Sequence, residues 1–209
     1  MSSLVKKYLY SENQKIFVGY IIGTSLEQIS YYIKDAVEDS EIFYSFIFNT
    51  KLVNNILHAF TDVTNTLDSL AEKYQAEDFE QNRNWRQIMF YDLAYLFNTI
   101  EVYDQRFNPS NQKLADSDIY LQLYQLFSSI LDDLSNIMQR YLKIQDFQES
   151  DQSRFYPESQ ISISIVPDHP LKNFIVVPRR SGFCDENNNV LKKQIVSIHP
   201  VEDAQNNNI

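Results

Sequence analysis

Residues 42–74 read IFYSFIFNTKLVNNILHAFTDVTNTLDSLAEKY. Alternating steps of four and three, starting at Ile42, reach Phe46, Asn49, Val53, Ile56, Phe60, Val63, Leu67, Leu70 and Tyr74. Asn49 is the only polar residue on this line. A repeat of 3.5 residues is the signature of a helix with one apolar seam, so the segment predicts a single helix. At 1.5 Å per residue it would run about 45 Å or more. A lone Asn in such a seam is a device for fixing register or oligomeric state.

The same spacing recurs downstream. Trp85, Met89, Leu93, Leu96, Ile100, Tyr103 and Phe107 form a second stripe. Ile119, Leu123, Leu126, Ile130, Leu134, Ile137, Tyr141 and Ile144 form a third, with Asp116 and Ser117 as candidate N-caps. Polar linkers at about 75–83 and 108–115 separate the three, and short connections favour antiparallel neighbours. Upstream, Ser25–Gln28 (SLEQ) has the form of a capping box. It predicts a short helix with Leu26, Ile29, Ile33 and Val37 on one face. Gly23 would end whatever precedes it. Residues 15–22 (KIFVGYII) read as a strand by β-branching, with a helix as the alternative.

After residue 148 the period changes. A polar connector, 149–159, leads to QISISIV with period two, then NFIVVPR and KKQIVSIHP. The fold class expected is mainly α: an antiparallel bundle of three long helices plus one short helix, with a small C-terminal antiparallel β meander. The expected divisions are a helical bundle over 1–148, a connector over 149–159, a β module over 160–201 and a tail over 202–209.

Composition excludes several functions. An average chain is roughly 7% glycine, whereas this one has three glycines in 209 residues. Neither G-x-G-x-x-G nor G-x-x-x-x-G-K-[ST] occurs, so no nucleotide and no other cofactor is expected. The net charge of −10 argues against nucleic acid, whose binding needs many Lys and Arg contacts. No stretch reaches the roughly 18 apolar residues of a transmembrane helix. A single cysteine, Cys184, excludes an internal disulfide framework and fits an intracellular, reducing compartment.

Catalytic and metal constellations are weak. Cys184, His169 and His199 share the C-terminal part, but without C-x-x-C or H-x₃-H spacing no metal site is expected. Pro167-Asp168 resembles half of one nuclease pattern, and the second half is missing. Ser181-Gly182 is not a nucleophile elbow. No Glu-x-x-His occurs, which excludes the usual di-iron spelling.

What remains is a polar stretch between two strand-like runs, about 12 residues long and oversized for a hairpin loop. Arg179, Arg180, Lys192, Lys193 and Phe183 gather there as candidate partner-binding residues. The leading expectation is a non-enzymatic protein–protein interaction protein, a structural subunit or adaptor in a hetero-complex. Tyr and Phe number 14 each, more than the seams consume, and aromatics are enriched at interfaces. One alternative is a small hydrolase or nuclease-like effector using Asp168, His169, Arg179, Arg180 and Asp185. Another is an acidic inhibitor that caps a basic partner.

Overall fold

The computed structural model describes residues 18–38, 50–108, 117–149, 151–163 and 174–200. Most of them are helical, and a small β region lies toward the C-terminus. The described chain forms two compact units that divide between Ile130 and Leu131.

In the first unit, α1 spans Val18–Glu38, α2 Thr50–Gln75 and α3 Trp85–Phe107, with a 3-10 turn at Phe79–Gln81. α4, Ser117–Ile137, runs across the division. The seam of α2 is buried from Ile56 through Phe60, Val63, Leu67, Leu70 and Tyr74. Ala59, Thr64 and Ala71 are buried beside it. The apolar face is therefore wider than a two-stranded coiled-coil stripe, as expected of a helix covered from several sides. Val53 lies in α2, whereas Ile42, Phe46 and Asn49 lie outside the described residues.

The helix before α2 corrects the expectation. Residues 18–22 are helical, not a strand, and belong to the same 21-residue α1 as the supposed short helix. Gly23 does not break it, and Ser25 is not a cap. The Ser25 hydroxyl donates to the Ile21 carbonyl within the helix at 3.0 Å. Ile22, Leu26, Ile29 and Ile33 form one continuous buried line, so burial of that line outweighs the β-branching of residues 18–22; residues 15–17 lie outside the described residues. The glycines serve packing. A Cβ on Gly23 would stand 2.8 Å from Gln75 Cγ and 2.9 Å from the Ala71 carbonyl oxygen, and one on Gly19 would stand 3.0 Å from the Tyr74 carbonyl oxygen. Two glycines four residues apart thus let the backbones of α1 and α2 approach closely.

Contacts run in opposite order along neighbouring helices. Gly23 meets Ala71 and Gln75, while Lys34 pairs with Asp68 at 2.6 Å. Between α2 and α3, Lys73 pairs with Asp92 at 2.6 Å and the Tyr103 hydroxyl donates to Asp62 at 3.1 Å. Tyr74 also donates to Asp92, at 3.1 Å. Burial, reinforced by that carboxylate, pushes the Tyr74 hydroxyl far above its ordinary pKa. From α4, Phe127 enters a cluster with Phe60, Tyr103 and Phe107, with ring centroids 5.5–5.7 Å apart. Phe127 is fully buried while its seam neighbour Leu126 is only half-buried. The apolar line of α4 is therefore displaced by one residue at that point.

The second unit overturns the meander. α4 ends in a π-helical turn, Met138–Leu142, followed by Lys143 with φ 61°. Ile144 continues the helical stripe in sequence, yet Ile144–Phe147 is strand β1. No Gly or Asn marks the reversal, so the usual C-cap signal was missing. The remaining strands are β2 Gln160–Ser162, β3 Phe174–Arg180, β4 Gly182–Asp185, β5 Val190–Lys192 and β6 Gln194–Pro200. They make two three-stranded sheets, β1-β4-β5 and β2-β6-β3. β2 pairs with β6 in parallel, not antiparallel, and the expected polar tip is itself the hairpin β4–β5, paired through β4 to β1. Residues 144–147, assigned from the sequence to the helical part, thus pair within the β region.

A buried amide pair spans the parallel register. Gln160 lies opposite Gln194, and the Gln160 side chain donates to Gln194 Oε1 at 3.0 Å. Gln194 Oε1 also accepts the Glu149 amide at 3.3 Å, and Gln160 Oε1 accepts the Tyr156 amide at 2.8 Å. These bonds tie the connector over 149–159 to the start of both strands. Beneath sheet β2-β6-β3, Val176, Val196 and Ile198 form an apolar cluster with Phe155 packed against it.

Gly23→Ala tests the close contact. Ala is favoured over Gly in a helix interior by about 0.5–1 kcal/mol, whereas overpacking costs about 1–3 kcal/mol. The expected outcome is a net loss of stability in urea unfolding, where a Gly→Ala change in an open helix would raise it. An unchanged or raised midpoint would contradict the close contact.

Candidate functional site

The sequence placed its candidate residues around the two arginines, and the local structure there follows from Pro178. Proline has no N–H to give a ladder, and strands carry it at edges and irregularities. Here the β3–β6 register shifts between Pro178, opposite Val196, and Arg180, opposite Ile195. Arg179 sits in that shift. Its Nε donates to the Ser197 hydroxyl at 2.8 Å, and its terminal nitrogen lies 3.2 Å from His199 Nε2. Ser197 Oγ lies 2.8 Å from the same His199 nitrogen. Ser197 is 5% exposed and His199 is exposed.

The other candidates do not join this cluster. Arg180 donates to the Arg179 carbonyl. Lys192 lies over the Phe183 ring, 5.7 Å from its centroid, and the two residues are direct cross-strand partners. Lys193 donates to the Pro157 carbonyl at 2.5 Å. Phe183, expected as a partner contact, is 0% exposed, with its ring packed beneath Lys192. Asp168 and His169 lie outside the described residues. Cys184 is buried in β4 opposite Gln145, on a different sheet from His199. Among the described residues, no three His, Cys, Asp or Glu side chains converge as metal ligands.

Asp185 shapes the turn of β4–β5. Its Oδ1 accepts the amides of Asn187 and Asn189 at 2.9 and 2.8 Å, and its Oδ2 accepts the Asn189 side-chain amide at 2.9 Å. These bonds, that of the Asn189 side chain first, hold its carboxyl below the ordinary range. Asn188 takes the left-handed conformation the turn requires, φ 61°. Beside this hairpin lies a cleft of about 160 Å³ lined by Gln139, Lys143, Ile144, Gln145 and Glu186. That is below the roughly 300 Å³ at which ordinary ligand pockets begin.

Sequence reading missed a second feature. Tyr31 and Tyr32 on α1 are 71% and 59% exposed, and Tyr91 and Tyr95 on α3 are 54% and 68% exposed. A signal for them existed, because all four lie off the apolar stripes of their helices. No described helix is long and apolar enough to cross a membrane. Compared with protein-family models, with curated proteins and with solved structures, the chain matches none.

The Asp185 turn yields a pH prediction. Its folded carboxyl titrates below the ordinary 3.8, so its contribution is present above that pH and is lost as pH falls through the folded value. In an NMR titration the Asn187 and Asn189 amides should report a midpoint below 3.8. Asp185→Asn should abolish that titration. A midpoint at or above the ordinary value would remove the proposed hydrogen bonds.

Proposed function

We propose that this chain is a non-enzymatic protein–protein interaction protein, a structural subunit or adaptor of a larger intracellular assembly, with its helices arranged as an antiparallel bundle. The observation that carries this reading is the set of four half- to mostly exposed tyrosines on α1 and α3. Single exposed apolar residues are ordinary on any surface. Tyrosine, however, combines large contact area with a polar tip and is enriched where proteins meet. On the β region, Arg179, Arg180, Lys192 and Lys193 remain candidate contacts through whatever part of each side chain is left to solvent.

A second reading has one observation in its favour. The 2.8 Å separation of Ser197 Oγ and His199 Nε2 is the distance of a nucleophile and its general base. A hydrolase-like effector would use this pair with Arg179, and Arg180, Asp168, His169 and Asp185 would be its remaining candidates. Two features weigh against it: Ser197 is buried, and Asp185 is occupied by its own turn. Labelling of Ser197 by a fluorophosphonate, lost in Ser197→Ala, would favour it.

The interaction reading is tested by purifying the tagged full-length protein from the cells that make it and measuring the native mass. The expected outcome is a stoichiometric hetero-complex. Replacing Tyr31, Tyr32, Tyr91 and Tyr95 together by Ser should release the partner while leaving the helical circular dichroism unchanged. A lone monomer at native concentration would overturn the reading.

A further inference from the structure

We infer that the outer face of α1 is a docking surface for a basic, Lys- and Arg-bearing segment of a partner protein. The inference rests on the interaction reading above and names the surface and the chemistry that surface recognises. α1 spends Ile22, Leu26, Ile29 and Ile33 on its buried side. The exposed residues of α1 are Glu27, Gln28, Tyr31, Tyr32, Lys34 and Asp35. Side chains four apart lie in one row along a helix. Glu27, Tyr31 and Asp35 therefore form a row with a carboxylate at each end and an aromatic ring between, and Gln28 and Tyr32 form the row beside it; Glu27 also accepts the Gln75 side-chain amide at 3.2 Å through one oxygen.

Charge selects the occupant. Lys34, the one cation among the described residues of α1, is paired with Asp68 at 2.6 Å, so the row itself carries the two carboxylates. Residues 1–130 carry 10 Lys and Arg against 17 Asp and Glu, a net charge of −7. A second copy docking through this same unit would bring the same sign to the contact and be repelled, as would a nucleic acid. A lysine or arginine suits the row twice over, because it stacks on a tyrosine face and meets a carboxylate one turn away. The tyrosines of α3 lack this selectivity. Asp92, between Tyr91 and Tyr95, is committed to Lys73 and Tyr74, and Arg86 lies over the Trp85 ring.

The test uses the full-length protein in the cells that make it, with a benzophenone amino acid replacing Tyr31 or, separately, Tyr91. Light should trap a protein at position 31, and mass spectrometry of the cross-linked peptide should find Lys or Arg flanking the contact. Asp35→Lys should cut the yield at least about tenfold, Asp35→Asn should cut it less, and added salt should cut it for the unaltered chain. A contact peptide from this chain's own residues 1–17 or 39–49, from a second copy, or from an uncharged partner segment would overturn the inference. So would a hetero-complex seen by native mass with nothing trapped at position 31, an outcome that leaves the interaction reading intact. No complex and no product at either position would sink both.

Discussion

The contact on which the first unit depends is the approach of α1 to the C-terminal half of α2. The α2 seam is an apolar face that no single helix can hide. α1 covers part of it with Ile22, Leu26, Ile29 and Ile33, all buried. That covering needs the backbones close together, because bulky residues at positions 19 and 23 would hold α1 away from Ala71, Tyr74 and Gln75. Glycine is costly in a helix interior, by about 0.5–1 kcal/mol relative to Ala, and this chain has only three. Spending two of them in one helix is explained by packing rather than by turns. The same region is stitched at its edge by the Gly19 amide, which donates to Glu80 from the 3-10 turn. Burial raises the Glu80 carboxyl above its ordinary range even so.

The β region solves a different problem. Its strands are three to seven residues long, and its described apolar cluster is small. Polar bonds therefore carry much of its specificity. The Gln160–Gln194 pair, 3.0 Å apart and buried, gives the Gln160 Nε2 and Gln194 Oε1 atoms their partners, so a slipped register would strand both at a substantial cost. Gly182 repeats the logic of Gly23, since a Cβ there would stand 2.4 Å from the Phe147 ring and 2.8 Å from the Gln194 amide nitrogen. All three glycines of the chain are thus places where two segments come too close for a side chain, and none has positive φ.

The surface follows from this division of labour. Once the seams and the Phe127 cluster have taken the phenylalanines they need, several tyrosines are left outside on the helices. Meanwhile the basic residues of the β region are drawn into local contacts: Arg179 with Ser197 and His199, Lys192 over Phe183, and Lys193 on the Pro157 carbonyl. A reading of charge alone would place the partner surface on those cations.

What the sequence determined by itself was periodicity. The 4–3 spacing located α2, α3 and α4, and it would have located the whole of α1 had Ile22 been counted with Leu26, Ile29 and Ile33. Hydrophobic repeat is a local property of a helix, so it survives without knowledge of neighbours. The tertiary structure decided the rest. Ile144 fits a helical stripe, yet it enters β1, where its strand partner is the distant Asp185 of β4. The parallel pairing of β2 with β6 is accompanied by a buried amide pair whose members are 34 positions apart. Ser197 and His199 became companions of Arg179 only through a register shift at Pro178. Each of these outcomes turns on which distant segment supplies a hydrogen-bond or packing partner, and local spacing carries no record of that.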